Sequence, residues 1–220
     1  PMFARLVRQS SVYALAGIVG KSSGLVLTAF YVNTAYLSVG DYGYFGVLRA
    51  AMMTALLVAG AGLPLGIIRF ATTSELSDDM RASVPSTALL LATVTGFASA
   101  AAIWISAPLL TEALSAGAAA DPLPVRLLAL YVGFKTVADV SYTELRHREK
   151  VGWYVALSAA ESFLLLGFVL AFLVVGREGL TGVMKGYVAS SGIVAVVASA
   201  LLVRDVAWRP SSALVGPMLA

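Results

Sequence analysis

The chain of 220 residues is too apolar for a water-soluble domain, because 59% of its residues are hydrophobic, only 12% are charged and the mean hydropathy is +0.87. Such a composition requires a lipid bilayer as solvent. The lack of Cys excludes a disulfide framework, a thiolate metal site and a cysteine nucleophile. His147 lies in the charged stretch 146–150 and is predicted to be a solvated loop residue, so we expect no metal and no cofactor.

Long apolar stretches predict six membrane spans, since a spanning helix needs about 20 residues. The first, 12–37, is too long for the apolar core of a signal peptide and is expected to stay in the mature protein. The next five cover about 44–68, 84–106, 123–145, 151–175 and 179–203. The fold class is therefore all-α, a polytopic membrane protein in which residues 1–210 form one transmembrane lobe. Residues 211–220 are predicted to begin a truncated seventh span.

The net charge of +3 is distributed unevenly between the predicted connections. One set of connections is basic and contains Arg5, Arg8, Arg69, Arg81, Arg146, Arg148, Lys150, Arg204 and Arg209. The opposite set contains Asp41, Glu112, Asp121 and the neighbouring pair Arg177 and Glu178. The positive-inside bias then predicts a cytoplasmic N-terminus. These basic residues flank membrane spans, and no nucleic-acid partner is expected.

Span one contains Lys21, about three turns or more from either end, where its ammonium can hardly reach the membrane surface. Polar and small residues recur on the same helical face, namely Tyr13, Gly17, Lys21, Gly24, Thr28 and Tyr31. This face predicts a water-filled cavity for Lys21, while Gly20 and Gly24 favour a helix-packing seam. Arg49 in span two is either an interfacial anchor or an inward-facing ligand for anions. Lys21 and Arg49 together suit a diphosphate, because an Arg fork matches phosphate oxygens.

Further ionisable residues lie inside predicted spans, where each requires a partner or a function; among them are Lys135, Asp139, Glu161 and Lys185. Lys135 and Asp139 are four residues apart on one helical face and can neutralise each other. Glu161 can pair with Lys135 across helices, or it can serve a proton-coupled step. Lys135, Asp139 and Glu161 are thus candidates for either a structural ion pair or a coupling site.

A cluster of helix-breaking residues in span two, Gly60, Gly62, Pro64 and Gly66, predicts a kink. Bent helices are common in transporters that alternate between two states, although a static kink has the same sequence pattern. Nothing in the sequence assembles a nucleophile with a base, or a set of metal ligands, so no enzyme is predicted.

Four motifs resemble those of polysaccharide-biosynthesis flippases, the O-antigen translocase branch of the multidrug/oligosaccharidyl-lipid/polysaccharide exporter superfamily. They are Leu37-Ser38-Val39-Gly40-Asp41-Tyr42-Gly43, Gly62-Leu63-Pro64-Leu65-Gly66-Ile67-Ile68-Arg69-Phe70, Leu145-Arg146-His147-Arg148-Glu149-Lys150 and Gly179-Leu180-Thr181-Gly182. The resemblance implies two six-helix lobes around a central cavity in the bacterial inner membrane, of which this chain supplies one. It also implies transport of undecaprenyl-diphosphate-linked oligosaccharide from the cytoplasmic to the periplasmic leaflet.

In that family, cationic residues facing the cavity are the expected diphosphate contacts, a role that Lys21 and Arg49 would fill here. The implied partners are the polyprenyl-diphosphate-linked glycan, membrane lipid and the polysaccharide polymerase machinery. The alternative is a cation-coupled multidrug exporter of the same superfamily. We expect such an exporter to have an acid in its first span, whereas span one has Lys21 and neither Asp nor Glu.

Overall fold

The computed structural model describes residues 22–72, 76–115, 121–205 and 208–219. Every regular element within these ranges is helical, which confirms the all-α prediction for them. In chain order the helices are α1 (Ser22–Tyr31 in its described part), α2 (Val39–Gly60), α3 (Leu63–Thr72), α4 (Asp78–Leu114), α5 (Leu123–His147), α6 (Val151–Leu170), α7 (Gly179–Asp205) and α8 (Ser212–Leu219). A π-helical turn, Ala171–Val175, continues α6.

Four stretches are long and apolar enough to cross a membrane: Val39–Phe70, Asp78–Leu114, Val151–Val175 and Gly179–Asp205. Large apolar side chains on their surfaces are exposed, among them Leu57, Ile105 and Val175, at 79%, 80% and 84%. Extended apolar surface of this kind is rare on water-soluble monomers and fits contact with lipid. These features indicate a multi-pass helical membrane protein.

The central helix is α5, which packs most extensively on α4 and α7 and also contacts α2, α3 and α6. It is long enough to cross a bilayer, but any 18 consecutive residues of it include at least three charged ones, so it is not among the four apolar stretches. Its neighbours bury it, and Val132, Ala138 and Ser141 are fully inaccessible. The predicted span 123–145 therefore corresponds to a charged helix shielded by apolar ones.

Glycines allow two pairs of helices in this bundle to approach closely. A Cβ on Gly96 of α4 would lie 3.1 Å from the carbonyl oxygen of Gly133 on α5. A Cβ on Gly186 of α7 would lie 2.5 Å from Val169 Cγ2 on α6 and 2.9 Å from the Val169 nitrogen. Gly182, one turn before Gly186, approaches the π-helical turn in the same way. Small residues at these contacts bring backbones together, as in other membrane bundles.

The second predicted span is divided, in the region where a kink was expected. Helix α2 ends at Gly60, and Ala61 and Gly62 follow with φ values of 42° and 72° before α3 begins. Gly62 adopts this left-handed conformation without strain, whereas Ala61 has a Cβ that opposes it. The sequence around Pro64 thus produces a complete break between two helices.

Two other spans differ in length from the prediction. The described part of α1 ends at Tyr31, and turns centred on Asn33 fill the region up to Ser38, which caps α2. Helix α4 extends from Asp78 to Leu114 and includes the first part of the connection between the predicted spans 84–106 and 123–145. Its start is stabilised by the Ser77 hydroxyl, which accepts a hydrogen bond from the Met80 amide, and by acidic residues in the first turn.

The region predicted as the start of a seventh span contains α8, which packs on α3 and α4. Leu214 and Met218 are buried there, at 1% and 3% exposure. The Ser211 amide donates a hydrogen bond of 2.9 Å to the Thr87 hydroxyl of α4 and so fixes the start of this helix.

Candidate functional site

A cluster of ionisable side chains joins α5 to α6 near the middle of both helices. The Lys135 ammonium lies 3.0 Å from Asp139 Oδ1 and 2.9 Å from Glu161 Oε1. The Tyr142 hydroxyl donates a hydrogen bond of 2.8 Å to Glu161 Oε2. Lys135 also lies over the Tyr142 ring, 5.3 Å from its centroid. We call Lys135, Asp139, Tyr142 and Glu161 the ion cluster.

The structure contains both of the pairings that the sequence left open for Lys135, since this residue contacts Asp139 within α5 and Glu161 on α6. The side chains of Lys135 and Glu161 are 18% and 19% exposed, and that of Asp139 is 43% exposed. With all three ionised, the cluster carries two negative charges and one positive charge. A surplus carboxylate at mid-helix is costly in a bilayer, which favours contact of the half-exposed Asp139 with water or with a cation.

Sequence reasoning missed Tyr142 as a member of the ion cluster. Tyr142 follows Lys135 by seven residues and Asp139 by three, so helical periodicity places all three on one face of α5. That spacing is the signal that could have identified it. Tyrosine is common in membrane proteins because its ring is apolar and its hydroxyl polar, so a tyrosine at this position does not by itself predict a contact with Glu161.

Arg49 lies on α2, one residue after the fully buried Leu48, and is itself exposed. Among the described residues no acidic side chain forms an ion pair with it. Phe45, one helical turn before Arg49, contacts the rings of both Tyr31 and Tyr187. The other predicted diphosphate ligand, Lys21, lies outside the described residues.

Aromatic contacts connect the surroundings of Arg49 to the ion cluster. Tyr31 packs edge-to-face on Phe45 with ring centroids 5.0 Å apart, and Phe45 contacts Tyr187 at 6.2 Å. Tyr187 in turn packs edge-to-face on Tyr131 at 5.4 Å, and Tyr131 precedes Lys135 by one helical turn. Parts of α1, α2, α7 and α5 therefore contribute to one continuous aromatic core between the two charged regions.

The end of the bundle where α5 meets α6 is rich in ion pairs and cation–aromatic contacts. Arg148 Nε lies 2.5 Å from Glu144 Oε1, and Lys150 pairs with Asp205 at the end of α7. Arg146 lies over the Tyr154 ring, 5.5 Å from its centroid. These contacts link the ends of α5, α6 and α7 on the side that the basic connections predict to be cytoplasmic.

The opposite end has an open cleft of about 790 Å³ between the α1–α2, α4–α5 and α6–α7 connections. Its lining includes Asp41, Asp121, Arg177 and Glu178. Glu178 also pairs with Lys185 of α7 at 2.7 Å, so this lysine of the predicted sixth span has an acidic partner. Within the described ranges, no group of three or more His, Asp or Glu side chains is arranged to hold a metal ion.

No protein-family profile matches the chain, and comparisons with curated proteins and with solved structures gave no match.

Proposed function

We propose that the chain is one six-helix lobe of a bacterial inner-membrane flippase with a cytoplasmic N-terminus. Its substrate is undecaprenyl-diphosphate-linked oligosaccharide, which it moves from the cytoplasmic to the periplasmic leaflet for surface polysaccharide synthesis. The prenyl tail stays in lipid, the glycan occupies a wet cavity, and cationic side chains hold the diphosphate. The polysaccharide polymerase machinery takes up the product.

The observation that carries this proposal is the exposed Arg49 on an apolar helix, with no acidic partner among the described residues. An unpaired guanidinium on a membrane helix is costly unless it meets water, an anion or another protein surface. A diphosphate supplies paired oxygens that match the guanidinium fork. The four apolar stretches long enough to cross a membrane agree with a membrane transporter, and the resemblance of the connecting motifs supports the flippase assignment.

The test replaces Arg49 by Ala in the full-length gene product and measures surface polysaccharide in cells that depend on it. We expect export to fall at least about tenfold, since a hydrogen bond to a charged group contributes about 1.5–3 kcal/mol. Arg204→Ala removes an exposed cation at the far end of α7 and should leave export unchanged. Normal export by Arg49→Ala at equal membrane abundance would refute this role of Arg49.

The ion cluster favours a second candidate, a cation-coupled multidrug exporter. Its surplus carboxylate is the kind of group that binds a coupling cation, and Asp139 is its accessible member. In that case Asp139→Asn would abolish drug resistance conferred by the protein, while Arg49→Ala would preserve resistance. A resistance phenotype together with unchanged surface glycan would select this function over the flippase.

A further inference from the structure

Arg126 of α5 and Trp104 of α4 form a cation–aromatic pair outside the candidate site. The Arg126 Cζ atom lies 5.7 Å from the centroid of the Trp104 ring. Among the described residues Arg126 has no acidic partner, and its buried Nε atom has no hydrogen-bond partner. We propose that this pair is a binding site for the phosphate group of an anionic phospholipid.

The surface around the pair is apolar and faces outward from the bundle. Trp104 is 40% exposed, and the apolar residues before it on α4, Phe97 and Val94, are 38% and 58% exposed. Arg126 lies in the first turn of α5, which begins at Leu123. A position near a helix end, with a partly exposed Trp beside it, is typical of the headgroup level of a membrane. Phe97 and Val94 lie on the side of Trp104 that faces the middle of α4, so lipid acyl chains can cover them while the headgroup reaches Arg126.

The chemistry of the pair selects phosphate. Trp104 supports one face of the guanidinium, and the remaining N–H groups can donate to two phosphate oxygens in a fork. In a zwitterionic lipid, the headgroup ammonium is tethered to the phosphate and would compete with Arg126 for it. An anionic lipid has no such ammonium. The apolar surface beside the pair favours a lipid over free inorganic phosphate, which has no acyl chains to cover it.

Trp104 can report on the lipid beside it. Trp153→Phe and Trp208→Phe remove the other two Trp residues, which are 52% and 50% exposed. The purified double variant is reconstituted with brominated phosphatidylglycerol or brominated phosphatidylcholine, and quenching of Trp104 fluorescence gives their relative binding. We expect phosphatidylglycerol to be preferred by about fivefold, which corresponds to the usual contribution of one basic residue near anionic lipid.

Adding Arg126→Gln should reduce this preference to about onefold, whereas Arg177→Gln, at the same end of the bundle, should preserve it. Arg126→Lys keeps the charge without the fork and should retain part of the preference. Equal quenching by the two lipids in the double variant would overturn the proposal, as would an unchanged preference in Arg126→Gln. Displacement of the lipid by millimolar inorganic phosphate would assign the site to free phosphate instead.

Discussion

At the residue scale, charge balance in the ion cluster links structure to stability. Lys135 satisfies two carboxylates, and Glu161 receives a second contact from Tyr142. Removing the cation leaves two acids without compensation in a weakly solvated region, where the cost of an unpaired charge is highest. Removing one acid leaves a balanced pair. The cluster should therefore respond very differently to the loss of its cation and to the loss of one acid.

We predict that Lys135→Met lowers the free energy of unfolding by about 3 kcal/mol, the usual cost of leaving a buried charge unpaired. Glu161→Gln should cost less than about 1 kcal/mol, because the amide can still contact Lys135 and Tyr142 while Asp139 neutralises the lysine. Denaturant unfolding of the purified protein in micelles measures both values. Equal losses in the two variants would mean that charge balance does not govern this site.

Sequence periodicity predicted the contact within α5 but could not determine the contacts between helices. Lys135 and Asp139 could be paired in advance because their four-residue spacing fixes their separation on a helix. The contact with Glu161 depends on how α5 and α6 pack, which no local spacing determines. Local spacing gives Arg126 no significance, because its contact with Trp104 of a different helix and its lack of an ion pair among the described residues follow from packing.

At the element scale, the close approach of the α6 and α7 backbones depends on two glycines of α7. Gly182 and Gly186 lie four residues apart on one face of α7 and meet the π-helical turn and Val169. The sequence contains this small-residue spacing, but only the packing shows which helix it faces. Likewise, the residues around Pro64 predicted an interruption, while the position of the break at Ala61 and Gly62 required the structure.

Gly186→Ala should destabilise the protein by about 1–3 kcal/mol, because the added methyl would overlap Val169. The matched control is Gly167→Ala on α6, where a Cβ would have no neighbour within 4 Å. That control should be neutral or stabilising by up to about 1 kcal/mol through helix propensity. Thermal unfolding monitored by circular dichroism distinguishes the two; a loss in Gly167→Ala as large as in Gly186→Ala would argue against close packing.

At the scale of the whole molecule, the bundle places apolar helices around a charged central one. This arrangement explains why hydropathy alone gave the approximate positions of the four long apolar stretches. The bounds differed because local features act independently of hydropathy: Ser77 caps the start of α4, and Ala61 and Gly62 adopt positive φ values between α2 and α3. The orientation in the membrane follows from the basic connections and is a separate prediction.

The Cys-free sequence allows this orientation to be measured directly. Val39→Cys, at the start of α2, and His147→Cys, at the end of α5, introduce single thiols at exposed positions. A membrane-impermeant maleimide should label Val39→Cys in intact spheroplasts, but His147→Cys only after permeabilisation. The reverse labelling pattern would invert the topology, and labelling of both from outside would contradict the assignment of α2–α5 as a membrane-spanning unit.

Flippase activity is most directly tested by translocation of a fluorescent undecaprenyl-diphosphate oligosaccharide in proteoliposomes containing the full-length protein. The proposal predicts transfer between leaflets that falls at least about tenfold in Arg49→Ala, since the guanidinium contact with the diphosphate is lost. Arg204→Ala, reconstituted at the same density, should match the unmodified protein. No translocation by the unmodified protein, or an equal rate in Arg49→Ala, would contradict it.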